Sequence, residues 1–362
     1  MWMMYLIALI PIVVGMFLWA FSKRITLTEY LLSCLTGIVV TVLITLLMAL
    51  GMTGDIETWS GLVTKATHIP TWVNTYEQAH YVTVGKTTTV YYTTEYNTNP
   101  EHWVAEATLG SRGAEIGISE ARYNDILKKF GREVVVNGSR PSYHSGDRND
   151  YVAVNDSKYV YPITQEYSFT NKVKACPSVF SYTKVSPGIK VFEYPKNEDL
   201  FKSDRLMGEA KKDFNIYEFD KLNTAVGMKI WANIIIVGFK GQDSKIAQLQ
   251  EAKWVGGKKN DLVICYSKEP KWAYVFGWTE NEQVKRNLEE LFTIGTISGN
   301  MLPQIQEVVM KDYKIKDWSK FDYLTVEPPG WAFALLIALM LLTQFGYYWW
   351  AFTNGEDKDE SI

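Results

Sequence analysis

Uncharged apolar residues crowd at the two ends of the chain. Residues 2–21 run about twenty positions without a charge, residues 31–52 slightly more, and residues 331–352 form a third run of similar length. An α-helix rises about 1.5 Å per residue, so each run matches a hydrocarbon core of about 30 Å. The pattern predicts three transmembrane helices, two N-terminal and one C-terminal. The first run lacks a basic leader and a small-x-small cleavage site, carries Pro11 at its centre and is followed almost at once by a second span. It reads as a retained helix, not a cleaved signal. Trp331 opens the third run, and Tyr347, Tyr348, Trp349 and Trp350 close it, as amphipathic rings do at the headgroup level.

Between the first two runs lies a short polar island containing Lys23 and Arg24. Basic residues in so short a loop are retained on the cytoplasmic side. The expected topology therefore places the N-terminus outside, residues 22–30 inside, the long middle outside and the acidic tail from Asn354 in the cytoplasm. In the second run Ser33, Gly37, Thr41, Thr45 and Ala49 recur every four residues. Such a small-residue stripe lets another helix approach closely. Its partner is either a helix of the same chain or a second copy in a homo-oligomer. No span carries Asp, Glu, Lys, Arg or His, which argues against an ion or proton path through one chain.

The middle changes period part-way. Up to about residue 194 it is rich in Thr, Val and Tyr, and residues 81–96 (YVTVGKTTTVYYTTEY) predict a hairpin turning near Gly85. Further strands are expected at 133–136, 151–154 and 158–161. Ser119 and Gly131 bracket a helix whose apolar face is Tyr123, Ile126, Leu127 and Phe130. From Asp220 onward the elements alternate. Residues 232–239 (ANIIIVGF) read as a strand covered on both faces. A helix capped by Asp243 follows, then strands at 261–267 and 272–278, a Thr279–Glu282 capping box with its helix, and a helix over 302–311. The expected class is α+β: three membrane helices flank a β-rich part and an α/β sandwich of order β-α-β-β-α-α. The divisions fall at 1–54 for the membrane hairpin, 55–218 and 219–328 for the two soluble parts, and 329–362 for the last helix and its tail.

Residues 252–282 resemble the centre of the TPM-domain family, membrane-tethered or lumenal modules known from photosystem II repair and from many bacterial proteins. Trp254, Gly256, Lys258, Asn260, Leu262–Cys265 and Val275–Trp278 carry the likeness, which spans roughly residues 220–312. It implies an α/β fold and an accessory role beside other membrane proteins. Two of the family's glycines are replaced here, by Asp261 and Trp278. Their loss separates the inherited fold from any inherited phosphatase or metal-binding chemistry, because glycine permits the close backbone approach of that site.

Net charge is −3 over 362 residues, which supplies no basic excess for nucleic acid. Three cysteines make no disulfide framework; Cys34 lies in a span, leaving Cys176 and Cys265 to pair or to remain buried thiols. The four histidines form no metal-ligand spacing, and no nucleophile elbow, P-loop or zinc signature occurs. Asp147 and Asp150, near His144, offer oxygens to a hard cation such as Ca²⁺ or Mg²⁺, or simply form a turn. Asn260 and Asp261, with Asp243 and Glu280, would gather at one end of the α/β sheet, where a metal-dependent hydrolase could act. Trp231, Trp254, Trp272, Trp278 and Trp318 serve either a core or an interface. The expectation is a membrane-anchored, non-catalytic interaction and assembly module, with the lipid bilayer and other membrane proteins as partners. A divalent-metal hydrolase and an oligomeric pore or envelope component are the alternatives.

Overall fold

The computed structural model describes residues 2–21, 25–140, 147–179, 185–186 and 188–354. Lys23, Arg24 and the tail beyond Asn354 lie outside the described residues, as does His144. The chain divides into two compact units, one formed by residues 1–56, 168–186 and 317–362, the other by 57–167 and 187–316.

The first unit opens with α1 (Trp2–Tyr5), a 3₁₀ turn (Leu6–Ala8) and α2 (Leu9–Phe21). The tightened turn lies just before Pro11, whose ring nitrogen cannot donate to the carbonyl four residues back. Helix α3 (Leu27–Thr53) starts earlier than the apolar run. Thr26 and Glu29 form a reciprocal capping box there: the Glu29 N–H donates to Thr26 Oγ1 (3.2 Å) and the Thr26 N–H to Glu29 Oε2 (2.7 Å).

A six-stranded sheet is built from β1 (Gly54–Ile69), β4 (His102–Leu109), β5 (Arg112–Ile118), β6 (Gly131–Asn137), β7 (Asn149–Asn155) and β8 (Pro162–Thr170). Its order is β5-β4-β1-β7-β6, with β8 pairing β1. Helix α4 (Glu120–Phe130) lies against it, capped as expected by Ser119, whose hydroxyl accepts the Arg122 N–H, and ended by Gly131 at φ 97°. Tyr123, Ile126 and Phe130 fill a core with Val63, Ala66 and Ala153. The strand expected at 158–161 does not form. Asn155 holds the chain in a turn by accepting the Tyr159 N–H (2.9 Å) and donating to its carbonyl (2.8 Å), and Lys158 adopts a left-handed φ of 57°.

The expected hairpin is β2 (Trp72–Val84) and β3 (Thr87–Asn99), paired from Trp72↔Asn99 to Val84↔Thr87 around Gly85 and Lys86. Gly85 has φ +64°, which the tight turn requires. This ribbon is a separate two-stranded sheet, distinct from the six-stranded one.

After the short pair β9 (Asn197–Asp199) and β10 (Lys202–Ser203), strand β11 (Leu206–Gly208) begins a second sheet of order β11-β12-β13-β14. Helices α5 (Ala210–Asp213) and α6 (Ile216–Ile230) lead to β12 (Asn233–Phe239), then α7 (Lys245–Lys253), β13 (Asp261–Lys268), β14 (Lys271–Gly277), α8 (Gln283–Ile294) and α9 (Leu302–Asp312). From β12 onward this is the β-α-β-β-α-α order read from the sequence. Strands β11, β12 and β13 are parallel and β14 is antiparallel. Every residue of β12 is buried. Alternate residues serve opposite faces: Ile234 and Ile236 pack with α6, α8 and α9, while Ile235 and Val237 pack with α7. The Thr279–Glu282 capping box is replaced by another arrangement. Thr279 bridges Ile315 and donates its hydroxyl to the Lys314 carbonyl (3.0 Å), and Asn281 Oδ1 accepts the Gln283 N–H instead.

Helix α10 (Gly330–Asn354) completes the first unit. Among the described residues three helices are long and apolar enough to cross a membrane. The stripe on α3 packs within the chain: Ser33 Oγ donates to Gln344 Oε1 of α10 (2.6 Å), and Gly37 faces Pro11 of α2 so closely that a methyl there would overlap it. Ser33, Gly37, Thr41 and Thr45 are buried and Ala49 is half-buried, whereas Leu31, Leu35, Leu43 and Leu47 point outward. An outward apolar surface of this kind is the surface a lipid bilayer covers.

Candidate functional site

Asn260 and Asp261 sit where β13 begins, and the structure makes them the centre of a buried polar node. Asp261 is fully buried. Its Oδ1 accepts from Asn233 Nδ2 (2.8 Å), and its Oδ2 accepts the Tyr194 hydroxyl (2.9 Å) and the Lys258 N–H (2.7 Å). Asn260 reaches the other way. It accepts the Thr58 N–H (3.3 Å) and donates to the Thr58 carbonyl (2.6 Å), clamping β1 onto the second sheet. Beside it the buried Arg205 guanidinium donates to Ser60 Oγ (2.5 Å), Asn233 Oδ1 (3.2 Å) and Asp220 Oδ1 (3.0 Å). Burial disfavours charge throughout this node: it pushes the Asp261 and Asp220 carboxyls up and the Arg205 guanidinium down, outweighing the donors and the ion pair that oppose it.

The node is thus a seam between two sheets. A cation at Asp261 would have to displace three donors at once. The other expected members part company: Glu280 follows β14 at this same end, since Gly277 pairs Leu262, but Asp243 follows the opposite end of β12, where Gly241 N–H donates to the Glu269 carbonyl. Asp243 accepts the Lys245 N–H (2.9 Å) at the start of α7.

Asp147 and Asp150 belong to a second cluster, at the base of the ribbon. Asp147 Oδ2 accepts the Val73 N–H (3.2 Å), and Asp150 pairs with Arg140 (2.5 Å), both side chains largely buried. The same guanidinium lies over the Trp72 ring, 4.9 Å from its centre, and Trp72 packs against His102. These carboxylates fasten the ribbon by its first two residues. Among the described residues no group of three or more His, Cys, Asp or Glu side chains could hold a metal ion. Cys34, Cys176 and Cys265 are all free thiols.

What the fastened ribbon presents is aromatic. Register puts Tyr81, Val90, Tyr92 and Tyr96 on one face, where the tyrosines are 71 %, 64 % and 57 % exposed. Tyr76, His80, Tyr91 and Val84 occupy the other face, with His80 stacked on Tyr91 (5.1 Å) and bonded to Thr93 (2.7 Å). The tryptophans named from the sequence are not the exposed aromatics: Trp254 is buried with its N–H on the Phe192 carbonyl (3.0 Å), and Trp272, half-buried, donates to the Gln242 carbonyl (2.7 Å). Sequence reasoning does not single out the ribbon tyrosines as a surface. The signal is present in the sequence, because residues 76–96 set Thr, Gln, Glu and His among the tyrosines on both faces and leave no consistently apolar face to bury.

No family model, no curated protein and no solved structure matches the chain.

Proposed function

We propose that the protein is a membrane-anchored, non-catalytic interaction module whose β2–β3 ribbon docks other membrane or surface proteins and assists their assembly or turnover. The carrying observation is the ribbon itself: thirteen paired positions on each strand, outside either larger sheet, with tyrosines bare on both faces. A two-stranded ribbon is marginally stable alone in water, and exposed tyrosines supply large contact area at small entropic cost. No described strand pairs with its outer backbone edges, which leaves them available for strand addition. The ribbon carries only Glu77, Lys86 and Glu95 as charges, so it has no basic surface to hold nucleic acid or acidic headgroups. The likeness of residues 252–282 to TPM domains points toward the same accessory role. Lys23 and Arg24 support a topology with this unit outside the cytoplasm, in a periplasm, a lumen or the extracellular space, and the C-terminus inside.

The hydrolase alternative would need Asp261 to abandon its seam, and the pore alternative would need a stripe already filled by Pro11 and Gln344. Neither has an observation of its own. The reading is tested by replacing Tyr81, Tyr92 and Tyr96 with serine in the full-length protein and recovering it from its native membrane. Proteins that co-purify with the wild type should be lost from the variant; an unchanged set of partners would overturn the ribbon's role.

A further inference from the structure

The second unit also contains a cavity that the ribbon reading does not use. It lies at the carboxyl ends of parallel strands β11 and β12, the end of the sheet opposite to Asp261, and has a volume of about 310 Å³. Open α/β sheets bind ligands outside these strand ends, and this volume is at the lower end of ligand-binding pockets.

Its walls are built. One is a strap without regular structure, residues 190–194, held by side chains from below: the buried Gln250 amide accepts the Phe192 N–H (2.7 Å) and donates to the Phe192 carbonyl (3.0 Å), and the Trp254 indole donates to that same carbonyl (3.0 Å). Tyr194 ends the strap on the Asp261 carboxylate. The facing wall is the sheet edge at Gly208 and Gly238. Gly208 has φ +59°, and a methyl on it would sit 2.2 Å from the Gly238 carbonyl oxygen, so the backbones meet there with no side chain between them. Phe192 and Phe239, 5.5 Å apart and edge to face, give the cavity an apolar side.

The polar side is cationic. Lys190 and Lys240 line the cavity from its two walls, and neither has a carboxylate partner among the described residues. Glu209, the acid on the rim, is already engaged by Lys212 (2.9 Å). Two ammonium groups without a carboxylate partner among the described residues, beside two phenyl rings, suit a ligand that carries both an anionic group and a ring. We propose that this cavity binds a small aromatic or ring-bearing phosphate monoester, the dianion held by Lys190 and Lys240 and the ring against Phe192 and Phe239.

The probe is phenyl phosphate, titrated calorimetrically into the purified full-length chain in detergent, with inorganic phosphate and phenol as the charge-only and ring-only arms. Phenyl phosphate should bind saturably, tighter than inorganic phosphate, while phenol should not bind. The double variant Lys190→Ala, Lys240→Ala should weaken phenyl phosphate at least tenfold. Both lysines are exposed, so unfolding is not expected from their loss, and Lys240→Glu, checked by an unchanged circular dichroism spectrum, should lower the affinity further than Lys240→Ala. Absence of saturable binding to the wild type, equal affinity for phosphate and phenyl phosphate, or binding indifferent to both lysines would each overturn the assignment.

Discussion

The β2–β3 ribbon and the β12–β13 pair are made of similar β-branched and aromatic residues in unbroken register, yet they meet opposite fates. In β12–β13 both faces are covered by helices, and Ile234, Ile236, Leu262 and Ile264 are wholly buried. In the ribbon no described helix or sheet covers either face, and Tyr81 and Val84 are more than two-thirds exposed. Backbone pairing alone does not distinguish them; burial does. Burying a large apolar side chain contributes about 1.5–3 kcal/mol, so the sheet is held by its core. The ribbon is held by its root at Trp72, Arg140 and Asp147 and by cross-strand pairs of about 0.2–1 kcal/mol each.

Substitutions should separate the two regions sharply. Phe219→Ala, in the core beneath β12, should destabilise the second unit by about 3–5 kcal/mol, read by thermal or denaturant unfolding of the full chain. A loss below about 1 kcal/mol would mean that this core does not hold the sheet. Asp261→Ala should cost about 2–3 kcal/mol by orphaning Asn233, Tyr194 and the Lys258 N–H, in the same assay. At the ribbon root, Arg140→Ala leaves the largely buried Asp150 without its cation and should cost about 1–2 kcal/mol, while accelerating amide exchange selectively along β2 and β3. Smallest of all, Tyr92→Ser should move global stability by less than about 0.5 kcal/mol, a shift that a melt barely resolves.

The seam adds a pH signature of its own. Burial raises the folded pKa of Asp220 and Asp261 above the unfolded value of about 4, so the folded node binds protons more readily than the unfolded chain. Its contribution to stability is therefore largest at low pH and declines as pH rises from about 4 through the folded pKa values. Melting temperatures of wild type and Asp261→Asn across that range should show a flatter pH dependence in the variant. Parallel curves would remove Asp261 from the balance.

The same physics explains what the sequence disclosed. The membrane helices, the hairpin at Gly85, helix α4 with its Ser119 cap and the β12–α9 order were legible because each has an uninterrupted apolar period or a strong local signal. Strand β1 and helix α6 were not, because the seam puts polar residues on their buried faces. Thr58 and Ser60 interrupt β1, while Asn223, Thr224 and Gly227 interrupt α6, where Asn223 bonds the backbone of Ile234 and Thr224 the carbonyl of Gly61. A pattern reader sees these as surface positions. Asn260 and Asp261 stand out in the sequence for their chemistry, yet only the fold shows their oxygens already filled. The cavity between the strap and Gly208 depends on contacts across the chain, which no local period encodes.

The interaction reading is met most directly by photocrosslinking at Tyr92 within native membranes, using a benzophenone amino acid there and at the buried Phe276 as the control. Discrete crosslinks to another protein from position 92, absent from position 276, are the expected result. Position 92 yielding no protein adduct, or none beyond those of the buried control, would contradict the ribbon as a docking element.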